Sequence, residues 1–347
     1  MLLKSLSELN GTSGAEGLVR NFLRQQVESF VDTVTVDKIG NLIATKNGHL
    51  GGPKVMLTAH MDEVALMIVD ITSDGFLKFR PVGGIDARIL VSKPVQINET
   101  LVGVIGAKAI HLQKPSERQK ALHFDQLYID IGAKSKEEAA GKVKLGDYAY
   151  FITKCEPFGE GLYKGKAFDD RVGCAILVEL LKRDYDIPLV AAFTVQEEVG
   201  LRGAKIAAYH INPDFAIVIE GTVAADVSDQ GEKGWVTELG KGPACSLMDR
   251  TTLYNPKLIQ WVADLAREKG IPLQFRRGSS GGNDAGPIHV SRTGIPTIAL
   301  SVPCRYIHSC VSVISEKDYS ACFNLISEIL NELPRKLKFS PMDKEDM

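Results

Sequence analysis

Val55-Met56-Leu57-Thr58-Ala59-His60-Met61-Asp62-Glu63 runs an apolar stretch of strand length straight into three ionisable residues. Val55–Ala59 has no polar alternation beyond Thr58, so it reads as a strand buried on both faces, the habit of strands inside parallel sheets. The arrangement recurs along the chain. Leu189–Val195 leads to Glu197-Glu198, Phe215–Ile219 leads to Glu220, and Thr297–Ser301 leads to a loop that carries His308. Helical periodicity separates these runs, over Asp170–Lys182, Leu201–Ala208, Pro256–Lys269 and Glu316–Leu333. The alternation predicts an α/β fold, a mainly parallel mixed sheet with helices on both faces.

Sites in open α/β sheets lie outside the carboxyl ends of the strands. Four strand ends therefore direct His60, Glu197, Glu198, Glu220 and His308 at one place, and Asp169-Asp170, just ahead of a helix, is assigned to the same edge.

Upstream, Ser13 and Glu16 have the spacing of a capping box for an amphipathic helix over 14–29. Val34–Val36 and Leu42–Thr45 read as short strands. Between Leu66 and Glu160 the texture changes to short β runs: Met67–Ile71, Phe76–Arg80, Val95–Ile97, Val102–Ile105, Leu127–Ile131 and Tyr148–Ile152. One short helix, capped by Ser135 and Glu138, interrupts them, and the polar stretch His111–Lys120 reads as a mobile loop. A small β-barrel inserted into the α/β unit is expected. The predicted division is 1–66 with 161–347 as a catalytic domain and 67–160 as the inserted barrel, with Lys336–Met347 a solvated tail.

A length of 347 residues suits two domains. A content of 44% hydrophobic and 24% charged residues excludes disorder. The net charge of -2 offers no basic surplus, so no nucleic-acid partner is expected. The six cysteines lack C-x-x-C spacing, which argues against a zinc ribbon or disulfide framework and for a reducing cytoplasm. Glu8 interrupts the start of the chain, and no later apolar run reaches ~18 residues, so neither a signal peptide nor a membrane span is expected.

Two imidazoles with three carboxylates, His60, His308, Asp169, Glu198 and Glu220, form a mixed N/O set suited to Zn, Co or Mn. One bridging carboxylate would give two ions three protein ligands each, with positions open for a water acidified toward pKa ~7. Taken singly the residues have plainer readings. His60 could be a satisfied strand-end histidine, Asp169-Asp170 a helix cap, and Glu197-Glu198 an acidic first turn. Their shared edge favours one site.

Four separated motifs carry a resemblance that covers nearly the whole chain. They are Thr58-Ala59-His60-Met61-Asp62-Glu63, Gly165-Lys166-Ala167-Phe168-Asp169-Asp170-Arg171-Val172-Gly173, Gln196-Glu197-Glu198-Val199-Gly200-Leu201-Arg202-Gly203-Ala204 and Gly281-Gly282-Asn283-Asp284-Ala285. Together they resemble the tetrahedral aminopeptidase family of dinuclear metallopeptidases, which includes glutamyl and deblocking aminopeptidases. The resemblance implies two divalent ions per subunit, with His60, Asp169 and Glu220 on one, Asp169, Glu198 and His308 on the other, and Asp169 bridging. It implies Glu197 as general base, Asp62 as the carboxylate orienting His60, a cis peptide at Asp169-Asp170, and a PDZ-like inserted barrel that makes dimer contacts. It further implies short peptides as substrates, and dimers assembled into a tetrahedral dodecamer. Glu220 stands where the family has Asp or Glu, and Asn283 where relatives often have Thr.

The resulting expectation is an aminopeptidase. A dinuclear carboxypeptidase or deacylase on the same core is the nearest alternative, and a carboxypeptidase would need a cation such as Arg277 or Arg305 for the substrate carboxylate. An endoglucanase, a label some family members carry, would need two acidic residues but neither histidine. A non-catalytic metal-binding protein would leave Glu197 without a purpose.

Overall fold

The computed structural model describes residues 1–48, 52–227 and 236–336; the predicted tail beyond Lys336 lies outside them. Helices α1 (Leu2–Glu8) and α2 (Gly17–Val27) precede an antiparallel pair, β1 (Thr33–Val36) and β2 (Leu42–Lys46). Next comes β3 (Val55–His60), buried at every position. The chain then enters a closed barrel of six strands: β4 (Ala65–Ile71), β5 (Leu77–Val82), β6 (Pro94–Ile97), β7 (Leu101–Ala107), β8 (Leu127–Asp130) and β9 (Tyr148–Phe151). All its strand pairs are antiparallel.

Two short helices lie within the barrel segment, α3 (Pro115–Arg118) and α4 (Lys136–Ala140). Ser135 caps α4 by accepting from Glu138 N, as the sequence predicts. The stretch expected to be a loop, His111–Lys120, instead contains α3. There Pro115 occupies the first turn and Glu117 Oε2 accepts from Lys114 N at 2.6 Å, so local capping chemistry orders a polar segment.

The chain returns through β10 (Glu156–Pro157) and β11 (Leu162–Gly165) to α5 (Phe168–Leu181), β12 (Leu189–Thr194), α6 (Arg202–Ile211) and β13 (Phe215–Val223). It ends with β14 (Ala244–Ser246), α7 (Pro256–Glu268), β15 (Gln274–Arg276), α8 (Ala285–His289), β16 (Thr297–Arg305), β17 (Ser312–Ser315) and α9 (Glu316–Lys336). The large sheet has the order β1-β2-β12-β3-β13-β16-β17-β11-β10, and β14 and β15 join it through β16. Its centre, β12-β3-β13-β16, is parallel, as the strand-helix alternation requires, whereas both flanks are antiparallel.

Two apolar cores form. The larger packs α5 and the central strands, with Phe168, Phe193, Phe215 and Leu57 fully buried; the smaller fills the barrel around Phe79, Phe151, Leu66 and Ile129. Asn255 caps α7 by accepting from Lys257 N and Leu258 N, and Gly270, at φ +65°, follows its end.

One predicted cap is corrected. The helix begins at Gly17 with no side-chain cap, and neither Ser13 nor Glu16 forms a capping box. Ser13 Oγ donates to Asp62 Oδ2 at 2.6 Å, and Glu16 Oε1 accepts from Gly14 N and Gln196 N. Both side chains turn toward the sheet edge, where buried polar groups need partners more than an exposed helix end does.

Candidate active site

Parallel register lines up the strand ends. Thr194 of β12 stands beside His60 of β3, and Glu220 of β13 beside Ser301 of β16. His60 closes β3, Glu197 and Glu198 follow β12, Glu220 lies within β13, and His308 sits at φ +56° between β16 and β17. Asp169 and Asp170 open α5 with non-helical backbone, and the peptide between them is cis.

These side chains converge. Asp169 Oδ1 lies 3.3 Å from His60 Nε2, and Asp169 Oδ2 lies 3.2 Å from His308 Nε2. Glu220 Oε2 is 3.6 Å from the same His60 nitrogen, and Glu198 Oε2 is 3.5 Å from that of His308. Two half-sites result, joined by the two oxygens of one carboxylate. His60 Nδ1 stands 3.0 Å from the Asp62 carbonyl, which can only accept, so this nitrogen carries a proton and Nε2 is the ring atom turned toward Asp169 and Glu220.

The Asp62 side chain lies 3.5 Å from His60 Nδ1 and also supports the neighbouring strand end: Oδ1 accepts from Glu197 N at 3.1 Å and Oδ2 from Glu198 N at 3.2 Å. Asp170 comes within 4.8 Å of the ligand atoms of His60 and Glu220, but its oxygens accept from His60 N and Gly173 N. That backbone role falls to a residue whose sequence position alone resembles a helix cap.

Negative charge is crowded here. Burial, reinforced by Asp170, pushes the Glu220 carboxyl well above its ordinary value, and burial lifts Glu198 to about 7. Glu197 is raised well above its usual range by burial and by Asp284, Glu198 and Asp169. At His308 burial opposes the charged form, but Asp169 and Glu198 outweigh it and hold the imidazole at about 9. Glu220 Oε1 is buried and has no hydrogen-bond partner among the described residues. Such an excess of buried carboxylate calls for a cation, and this donor set fits hard or borderline divalent ions.

A cavity of about 340 Å³ is lined by His60, Asp169, Glu197, Glu220 and His308 and also by Ser246, Arg276 and Asn283. Arg305 is committed to Asp226 through two contacts of 2.7 Å, and Arg277 lies 3.4 Å from Glu238 and lines a different cavity. Neither of these two candidates for a carboxypeptidase's cation lines the cavity, whereas Arg276, which does, donates to Thr222 Oγ1, Gly278 O and Ser280 O. The barrel also reaches the site. A Cβ on Gly83 would fall 3.2 Å from Glu198 Oε2, and one on Gly84 3.3 Å from His308 Nδ1. In the sequence their only mark is a glycine pair.

A family model described as M42 glutamyl aminopeptidase matches residues 40–325. The chain belongs to this family. As an M42 member it is a metal-dependent aminopeptidase, a peptidase that requires divalent metal. A putative aminopeptidase of Acetivibrio thermocellus is 38% identical over 95% of this chain and 97% of its own length. The TET aminopeptidase from the marine sediment archaeon Thaumarchaeota archaeon SCGC AB-539-E09 superposes with a TM-score of 0.93 at 35% identity, covering 96% of each chain. The TET1 peptidase of Pyrococcus horikoshii, described as assembling into a tetrahedron or a large octahedral shell, gives 0.84 at 35% identity over 95% of this chain and 98% of that one. No helix among the described residues is long and apolar enough to cross a membrane.

Proposed function

We propose that this M42 peptidase removes N-terminal residues from short peptides at a two-metal centre, with Glu197 as general base. His60, Asp169 and Glu220 would hold one ion, Asp169, Glu198 and His308 the other. The supporting observation is the division of the Asp169 oxygens between His60 and His308, at 3.3 and 3.2 Å. Zn or Co suits two imidazoles with three carboxylates, and Mn remains compatible with them. Bound there, the ions supply an acidified water and polarise the scissile carbonyl.

Glu197 lines the cavity beside the ligands, where a carboxylate can take a proton from the attacking water and return it to the leaving amine. Asp62 fixes the backbone of Glu197 and Glu198 while standing against His60. We assign residues 67–160 to a dimerisation module and 1–66 with 161–347 to the catalytic unit, and propose that dimers build a tetrahedral dodecamer, supported by the TET1 peptidase of P. horikoshii. Six free, buried cysteines agree with action in a reducing cytoplasm.

The deciding experiment combines metal analysis with hydrolysis of aminoacyl-anilides by the wild type and Glu197→Gln. Two ions in both proteins, with turnover down about 10²–10⁴-fold in the variant, is the expected result. Undiminished turnover in metal-loaded Glu197→Gln would remove Glu197 from the mechanism. Hydrolysis of N-acetylated peptides in preference to free ones would replace the aminopeptidase reading with a deacylase or carboxypeptidase.

A further inference from the structure

Three consecutive amides after β12 end on carboxylates: Gln196 N on Glu16 Oε1 at 3.1 Å, Glu197 N on Asp62 Oδ1 at 3.1 Å, and Glu198 N on Asp62 Oδ2 at 3.2 Å. The shortest bond to the Asp62 side chain comes from elsewhere, from Ser13 Oγ at 2.6 Å. Ser13 is buried, and its own segment is tied along the Asp62 side of the site. Thr12 Oγ1 donates to Glu63 O at 2.7 Å, Gly11 N to Glu63 Oε1 at 3.1 Å, and the barrel's Tyr148 hydroxyl to Ser13 O at 3.3 Å.

A carboxylate that accepts two neighbouring amides can still swing about its last bond, and then one amide loses its partner. A third donor, fixed to independent backbone, removes that freedom. We propose that Ser13 is a positioning residue of the peptidase reaction: by donating to Asp62 Oδ2 it locks the carboxylate that sets where Glu197 and Glu198 stand. The inference rests on Glu197 acting as the base.

The helix cap that the sequence predicts for Ser13, and that the structure replaces with the bond to Asp62, makes the opposite chemical demand. A cap needs an acceptor at position 13, which Asp supplies well. Positioning Asp62 needs a hydroxyl donor, which Thr keeps, whereas a carboxylate at 13 would face another carboxylate.

The test is steady-state hydrolysis of an aminoacyl-anilide by metal-loaded, full-length Ser13→Ala, Ser13→Thr and Ser13→Asp, with metal content and Tm measured on each. Ser13→Ala is expected to lower kcat about 10-fold or more with two ions retained, and to leave KM within about twofold. Ser13→Thr should restore turnover, and Ser13→Asp should be at least as impaired as Ser13→Ala. An unchanged kcat in Ser13→Ala, recovery in Ser13→Asp, or losses in all three that merely follow Tm would each overturn the proposal. Glu197→Gln run alongside separates the two readings. Turnover retained there defeats the base assignment and this inference together, while an inactive Glu197→Gln beside an unimpaired Ser13→Ala defeats the inference alone.

Discussion

Gly221 backs Asp169 so closely that a Cβ at 221 would stand 3.1 Å from the Cα, Cβ and Oδ1 of Asp169. Glycine there lets β13 pass against the opening turn of α5 and sets the depth of the carboxylate shared by the two half-sites. Gly221→Ala must displace Asp169 by tenths of an ångström. Metal affinity is expected to drop about 10-fold or more, read by titration calorimetry. Unaltered affinity for both ions would show that Asp169 has room to shift.

Asp62→Asn keeps the side chain's shape but exchanges one acceptor oxygen for a donor that faces the Glu197 and Glu198 amides or Ser13. A fall of about 10–100-fold in kcat/KM is predicted, from anilide kinetics on protein of verified metal content. Wild-type kinetics would mean that the Asp62 carbonyl, not its carboxylate, does the orienting.

Glu63 and Lys166 form a buried pair, with both carboxylate oxygens 2.7 Å from Nζ, and Arg171 is buried beside them at 3.5 Å. Removing the acid strands two buried cations. Glu63→Gln should destabilise by about 3–5 kcal/mol, and Glu63→Gln combined with Lys166→Met by less than Glu63→Gln alone. Urea denaturation of the single and double variants measures the coupling, and strict additivity would show that the two charges do not support each other.

Asp318 at the start of α9 accepts from Gly240 N and Gly242 N, both at 2.7 Å, and burial pushes its carboxyl up to about 6. An unfolded carboxyl titrates near ~3.9. Between these values the folded chain therefore binds more protons than the unfolded one, and this group's contribution to stability is lost as pH rises through about 6. Asp318→Asn should flatten the decline of Tm between pH 4 and 6 relative to wild type. Parallel Tm profiles for the two proteins would contradict the assignment.

Much of the site is legible in the sequence because strand ends are local features. Each of Val55–Ala59, Leu189–Val195 and Phe215–Ile219 is recognisable from a few consecutive apolar residues, and the acid or imidazole beside it needs no knowledge of the rest of the chain. The barrel strands are readable for the same reason. Flanking pieces are not. β14, β15, β17 and α8 each span five residues or fewer and owe their form to neighbours already in place. Arg171, fully buried with Nε donating to Met61 O and Nη2 to Gly11 O, reads as a surface charge until its partners are known.

The sequence alone therefore marked the α/β alternation, the inserted barrel, and His60, Glu197, Glu198, Glu220 and His308 as candidates, since pattern and strand end lie within a few residues of each other, whereas Asp169, at a helix start, was only assigned to the same edge. Only the tertiary structure decided which atoms meet. Ser13 lies 49 residues from Asp62 in the chain, yet it donates to that carboxylate instead of capping a helix. A hydroxyl serves either role, and the choice follows from which partner packing brings within reach and leaves buried.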